Sequence, residues 1–266
     1  MMFQPVVPFG GFAGWKFLER TREAQQTAHD NSAEIRRNSD YFRENIGKVT
    51  SVDGLIGDFR LMTVALGAFG LEDDINNRYF IRTVLSEGTL DPEALANRIA
   101  NKSYAKMSEA FGFGDFATPN TQLSDFPEKI IEAYKTRQFE VAVGEVDNSM
   151  RLTLNLEREL PDIINDTTSE ETKWFSVMGS EPLRRVFENA LGLPTSFAAL
   201  DIDKQLEVFQ DRAASTFGDA SVSQFSDPEN MEKLVRLHLV RSQIAADGFG
   251  FSSASTALTL LSSAVR

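Results

Sequence analysis

One pattern constrains the fold of this chain more than any other: an apolar run at helical spacing, closed by glycine, that occurs twice. Leu61, Val64, Ala68, Gly70 and Leu71 recur as Leu183, Val186, Ala190, Gly192 and Leu193, each 122 positions later. Asp91-Pro92-Glu93 and Gly112-Phe113-Gly114 recur as Asp227-Pro228-Glu229 and Gly248-Phe249-Gly250, each 136 positions later, so the second copy carries 14 extra residues in its middle. Leu95, Ile99 and Ala110 fall in register with Met231, Val235 and Ala246. Apolar residues three and four apart, ending on glycine, describe an amphipathic helix stopped by a left-handed residue, whereas a half-buried strand needs a period of two. The expected fold is all-α, an elongated multi-helix protein in which two related helical units are joined by a long central helix.

Capping signals place the boundaries. Residues 1–50 read as an N-terminal arm followed by helices over 13–28 and 33–46, the second with Ile35, Tyr41, Phe42 and Ile46 inward. The first helical unit, 51–123, opens at Thr50-Ser51-Val52-Asp53 and runs through Leu55, Ile56, Phe59, Met62, Leu66 and Phe69 to Gly70. A helix over 73–85 follows, then one started by Asp91-Pro92-Glu93, where Asp caps and Pro fits the first helical position. Ser103 re-caps a further turn that ends at Gly112. The connecting helix, 124–167, starts at Ser124-Asp125-Phe126-Pro127-Glu128. It carries Ile130, Ile131, Tyr134, Phe139, Val143, Val146, Met150, Leu154 and Leu160 inward, with a bend expected at Gly144 and a kink or an end at Pro161. The second helical unit, 168–251, begins with the capping box Thr168-Ser169-Glu170-Glu171. Residues 252–266 form a C-terminal amphipathic tail.

The chemistry-bearing residues are sparse. Of 266 residues two are histidine and none is cysteine, which removes disulfides, thiolate nucleophiles and cysteine-ligated zinc. His29 falls on a polar stretch that reads as exposed, and His238 on an amphipathic helix. Neither has a second ligand at metal spacing, so both read as structural or solvent-facing. Asp201-Ile202-Asp203 begins like a calcium loop but lacks the glycine and the closing glutamate. Gly112-Phe113-Gly114 follows a helix, the reverse of a phosphate loop. No catalytic residues, metal ligands or cofactor follow from the sequence, and the expectation is a protein that is not an enzyme.

A net charge of −12 gives no electrostatic reason to bind nucleic acid. No apolar run is long enough for membrane insertion. The segment Met1–Gly14 is apolar and rich in Gly and Pro, without a basic leader or small-residue cleavage site. It reads as a loose terminal arm or as an export or docking segment, which leaves a cytoplasmic protein or one exported with a larger assembly.

Three motifs carry a resemblance: Tyr41-Phe-Arg-Glu-Asn-Ile46, Asp58-Phe-Arg-Leu-Met-Thr-Val-Ala-Leu-Gly-Ala-Phe-Gly-Leu71, and Arg137-Gln-Phe-Glu-Val-Ala-Val-Gly-Glu145 followed by Met150-Arg151. With these the chain resembles a bacterial family catalogued as a domain of unknown function, whose members are often encoded among flagellar genes. The resemblance spans Trp15 to Leu160 closely and the second half more loosely. It implies a flagellum-associated role and brings no activity, cofactor or catalytic residue. Partners are then other proteins, flagellar components among them. The contact residues expected from the apolar termini are Phe12, Trp15 and Leu18 in the first helix and Leu258, Leu261 and Val265 in the tail. The alternative function is a cytosolic helical binding or regulatory module that takes a partner helix or a small ligand in a groove.

Overall fold

The computed structural model describes residues 3–247, and among them every regular element is helical: thirteen α-helices, five short 3-10 helices and no strand. The fold class is therefore all-α. The chain divides into two compact units. One takes the residues up to Val6 with Thr21–Val146, the other Val7–Arg20 with the chain from Asp147 onward. Helix α1, Gly11–Asp30, contributes to each.

The first unit is built on α4, Phe59–Phe69, in which Leu61, Met62, Val64, Ala65, Leu66, Gly67 and Ala68 are all buried. So apolar a helix belongs in the middle of a bundle. It packs against α2, Ala33–Asn45, and α8, Phe126–Val146, which also touch each other. Around them lie α3 (Val52–Gly57), α5 (Arg78–Glu87), α6 (Leu95–Arg98) and α7 (Ser103–Phe111). Phe111 anchors an aromatic cluster, with Phe126 at 5.0 Å, Phe113 at 5.8 Å and Phe69 at 6.5 Å between ring centroids.

Three expectations change in this unit. The run from Ser51 to Gly70 is two helices, because Asp58 turns extended (φ −106°, ψ 108°) and caps α4 by accepting from the amides of Arg60 (2.9 Å) and Leu61 (3.1 Å). The segment 73–85 is a 3-10 turn over Glu72–Asn76 followed by α5. Asp91-Pro92-Glu93 makes only a turn before the four-residue α6. Here the Glu87 carboxylate accepts from the amide of Leu95 (2.6 Å), and the Asn97 amide donates to the carbonyls of Thr89 and Asp91. These side chains take backbone groups that a longer helix would have used.

The expected connecting helix, 124–167, is also two helices. It breaks at Asp147 (φ −150°, ψ 106°), whose carboxylate accepts from the amides of Ser149 (2.9 Å) and Met150 (3.3 Å) and so caps α9, Asn148–Asn165. Gly144 lies inside α8, and Pro161 is carried inside α9 without ending it.

The second unit is built around α11, Glu181–Leu191, which packs on α9, α10 (Glu170–Gly179), α12 (Ile202–Phe217) and α13 (Pro228–Asp247). The predicted capping box shifts by one residue: Ser169, not Thr168, is the N-cap of α10 and accepts from the amide of Thr172. Asp227 caps α13, accepting from the amide of Glu229 at 2.9 Å. Trp174 stacks on Phe209 at 5.6 Å and meets Phe187 edge-on at 5.4 Å, while its indole N–H donates to the carbonyl of Ala220 at 2.8 Å.

The two central helices end alike. Gly70 and Gly192 are left-handed, at φ 70° and 67°. The amide of Leu71 reaches back to the carbonyl of Leu66 (3.0 Å), and that of Leu193 to Glu188 (2.9 Å). A methyl group at Gly70 would meet the Arg137 guanidinium of α8 at 2.5 Å, and one at Gly192 the Arg241 guanidinium of α13 at 2.8 Å. The later part of the sequence repeat diverges: Asp91-Pro92-Glu93 opens a turn, whereas Asp227-Pro228-Glu229 opens the 20-residue α13. Gly248-Phe249-Gly250 lies outside the described residues.

Candidate functional site

The contact residues expected in the first helix are mostly interior. Trp15 is 2% exposed and Leu18 is fully buried, so neither offers a surface to a partner. They lie on the one apolar stripe of α1, and the fold covers that stripe itself. Phe12 is half-buried, with the Arg236 guanidinium 4.8 Å and the Lys16 ammonium 5.5 Å from its ring centre. Lys16 pairs in turn with Glu19 (3.0 Å) and Glu232 (3.4 Å). Leu258, Leu261 and Val265, with the tail 252–266, lie outside the described residues.

Apolar surface appears instead on the last turns of α13, where Val240 is 40% and Ile244 63% exposed. Phe9, at 61%, is another large exposed side chain of the second unit.

The N-terminal arm is docked, contrary to the loose segment the composition suggested. In the first unit, residues 3–6 lie on the second half of α1. The Gln25 side chain holds the backbone of Val6 at both polar atoms. Its carbonyl oxygen accepts from the Val6 amide at 2.8 Å, and its NH₂ group donates to the Val6 carbonyl at 3.1 Å. Thr21 fixes the Gln25 amide through a third hydrogen bond of 2.8 Å. Pro5 is buried. The Phe3 ring sits edge-on to His29 (5.4 Å) and tilted to Phe139 of α8 (6.4 Å), and these two rings are themselves 5.7 Å apart.

His29 is thus 5% exposed and part of a seat for Phe3, where the sequence suggested an exposed ring. Burial lowers its pKa, and the neighbouring Asp30 carboxylate opposes that shift. Reading the stretch around His29 as polar and exposed missed this seat. The available signal was register: Gln25 and His29 stand seven and eleven positions after Leu18, on the continuation of the same helical stripe.

Other polar clusters hold the fold together. In the second unit the buried Lys173 ammonium donates to the carbonyl of Ile164 (3.0 Å) and the hydroxyl of Ser223 (2.9 Å), and pairs with Glu170 at 3.2 Å. Burial pushes the Glu170 carboxyl up. Hydrogen bonds from Ser223, Lys173 and Val222 outweigh that and leave it below the usual carboxylate range. In the first unit Asp115 gathers the amides of Thr89 (2.6 Å) and Leu90 (3.1 Å). Burial and a hydrogen bond to Asp74 raise the Tyr104 phenol well above its ordinary range.

His238 is fully buried. Its Nε2 lies 3.2 Å from the carbonyl of Ser149, its Nδ1 has no partner, and burial pushes its pKa down to about 4. A depression of about 420 Å³ in the second unit is lined by residues of α9, of the turn into α13 and of α13 itself, Pro161, Ile164, Phe225, Ser226 and Met231 among them. Among the described residues no group of three potential ligands is gathered for a metal ion, and no helix is long and apolar enough to cross a membrane.

A crystal structure of an Agrobacterium tumefaciens protein superposes with a TM-score of 0.72, covering 91% of this chain and 99% of that one at 24% identity, which shows a shared fold. No curated protein matches the chain. Of the motifs that carried the resemblance, Arg137–Glu145 with Met150-Arg151 and the last four residues of Asp58–Leu71 lie within the residues that the family profile matches, 68–231, and the chain belongs to the family described as "Protein of unknown function (DUF1217)".

Proposed function

We propose that this protein acts by protein–protein contact in flagellar structure or assembly, and not by catalysis. The flagellar setting rests on the resemblance carried by the motifs between Tyr41 and Arg151. The observation that carries the contact reading is the end of α13, where Val240 and Ile244, one helical turn apart, stand 40% and 63% exposed just before the sequence that contributes Leu258, Leu261 and Val265. Large apolar side chains aligned on one helix face are what a partner helix docks against.

The two units further read as a duplication. Both are organised on an apolar helix that ends in a left-handed glycine beside an arginine from a later helix, Gly70 with Arg137 and Gly192 with Arg241. On this reading α4 and α11 are counterparts.

Deletion of the gene, a swimming assay and a search for the protein in purified flagella test the flagellar reading. Loss of motility that the native chain restores, and the Val240→Asp/Ile244→Asp double variant does not, is the expected result. Intact motility with the protein confined to the cytosol would overturn it.

A further inference from the structure

The N-terminal arm is a ligand held in a binding seat that happens to belong to its own chain. We propose that the seat made by Gln25, His29 and Phe139 also accepts residues 3–6 of a second copy of this chain, so that the arm is an exchangeable dimer contact. This inference rests on the arm's geometry and does not depend on the flagellar setting.

The seat has the parts of a peptide-binding site. Gln25 reads the backbone of Val6 through both of its polar atoms and is itself only 9% exposed, fixed from behind by Thr21. His29 and Phe139, 5% and 1% exposed, form an aromatic wall for Phe3. Together they recognise a segment with an aromatic residue three positions before the clamped one, and a buried proline between them. The occupant on view is residues 3–6, and a second copy presents the identical segment. Docking in trans therefore reproduces every contact made in cis, and the balance between the two is set by the connection and by concentration.

The connection is the weak point of the closed form. Residues 3–10 have no regular secondary structure, and the space beside Gly10 is open, with nothing within 4 Å of a Cβ placed there. The turn into α1 uses Gly11 at φ 63° and a close approach at Gly14, where a methyl group would lie 1.8 Å from the carbonyl oxygen of Phe9. No side chain larger than hydrogen fits at Gly14 while the arm folds back. Shortening or obstructing such a hinge disfavours the cis form and leaves the seat intact, which is the usual route to exchange between protomers.

The test is the oligomeric state of the full chain by sedimentation. Gly14→Ala obstructs the reversal, and association about tenfold or more tighter than in the unaltered chain is expected, because the intramolecular competitor has been removed. Adding Gln25→Ala to Gly14→Ala is expected to return the protein to monomer. Gly14 also neighbours Met150, at 2.7 Å from a Cβ placed there, so a second variant deletes Val7 and Pro8 and leaves α1 untouched. The unaltered chain supplies a third measurement: tagged and untagged copies, mixed at high concentration, should co-purify in a manner abolished by Gln25→Ala. Hinge variants that fold and stay monomeric would overturn the proposal. So would a dimer that persists without Gln25, or mixed native copies that never pair.

Discussion

Gly67 of α4 lies directly beneath the ring of Tyr134 of α8: a methyl group at Gly67 would sit 2.9 Å from Cδ2 and 3.0 Å from Cε2 of the tyrosine. The pair sets how closely the two helices approach, and it explains a glycine in the middle of the most buried helix of the first unit. Gly67→Ala should force the ring aside and cost about 1–3 kcal/mol, more than the helix propensity gained from alanine. A lower urea midpoint at unchanged slope checks this, and a neutral or stabilising effect would show that Tyr134 yields freely.

Gly192 combines a left-handed backbone with the Arg241 guanidinium, which donates to the carbonyls of Ala190 (2.5 Å) and Asn189 (3.3 Å) at the end of α11. Gly192→Ala therefore meets both a backbone penalty and a displaced cap, together about 1–2 kcal/mol. Gly179, in the last turn of α10, has open space around it and no positive φ. Gly179→Ala is expected to be neutral or slightly stabilising. Thermal melts of the two variants side by side give the comparison.

Lys173 closes the end of α9 by donating to Ile164 while it pairs with Glu170. Lys173→Met leaves the Ile164 carbonyl and the Ser223 hydroxyl without their donor and takes the partner from the half-exposed Glu170 carboxylate, for an expected loss of about 1–3 kcal/mol. Glu170→Gln should cost less, since the Glu170 side chain is 38% exposed and its loss removes one member of the network, not its centre. Denaturant titration of both variants decides the order, and equal losses would refute it.

His238 makes stability depend on pH. Burial is the main cause of its lowered pKa of about 4, with the Ser149 carbonyl and Asp147 opposing it. The folded chain thus binds this proton more weakly than the unfolded chain. Stability is complete above the ordinary histidine pKa of about 6.5 and declines as pH falls toward 4, by up to about 3 kcal/mol. His29 is shifted in the same direction, so the native chain retains some slope without His238. Urea midpoints of the native chain and of His238→Gln between pH 7.5 and 4 should diverge as the solution is acidified. Parallel curves would mean that His238 accepts its proton without penalty.

Much of the helical punctuation was legible in the sequence because it is local. Asp227 caps where its position suggests, and Gly70, Gly112 and Gly192 stop helices because only glycine takes that conformation without strain. What escaped notice depended on tertiary partners. Nothing local separates Asp147, which breaks a helix, from an acidic residue on a helix surface. The Asp91-Pro92-Glu93 start is sound by itself, yet it is outcompeted by Glu87 and Asn97, which reach the same backbone. Gln25 and His29 looked like solvent-facing residues because their partners lie about 20 residues back in the arm and over 100 residues ahead in α8.

The Gln25 clamp also divides what evolution can touch from what it cannot. It grips the peptide unit of Val6, and the valine side chain points to solvent, 58% exposed. Residue 6 is therefore free to drift among any amino acids that keep an amide hydrogen, proline alone being barred. Position 25 has no such latitude: asparagine is a methylene too short, and glutamate lacks the donor for the carbonyl. Across descendants of this chain, position 6 can drift while the residue that holds its peptide unit stays fixed.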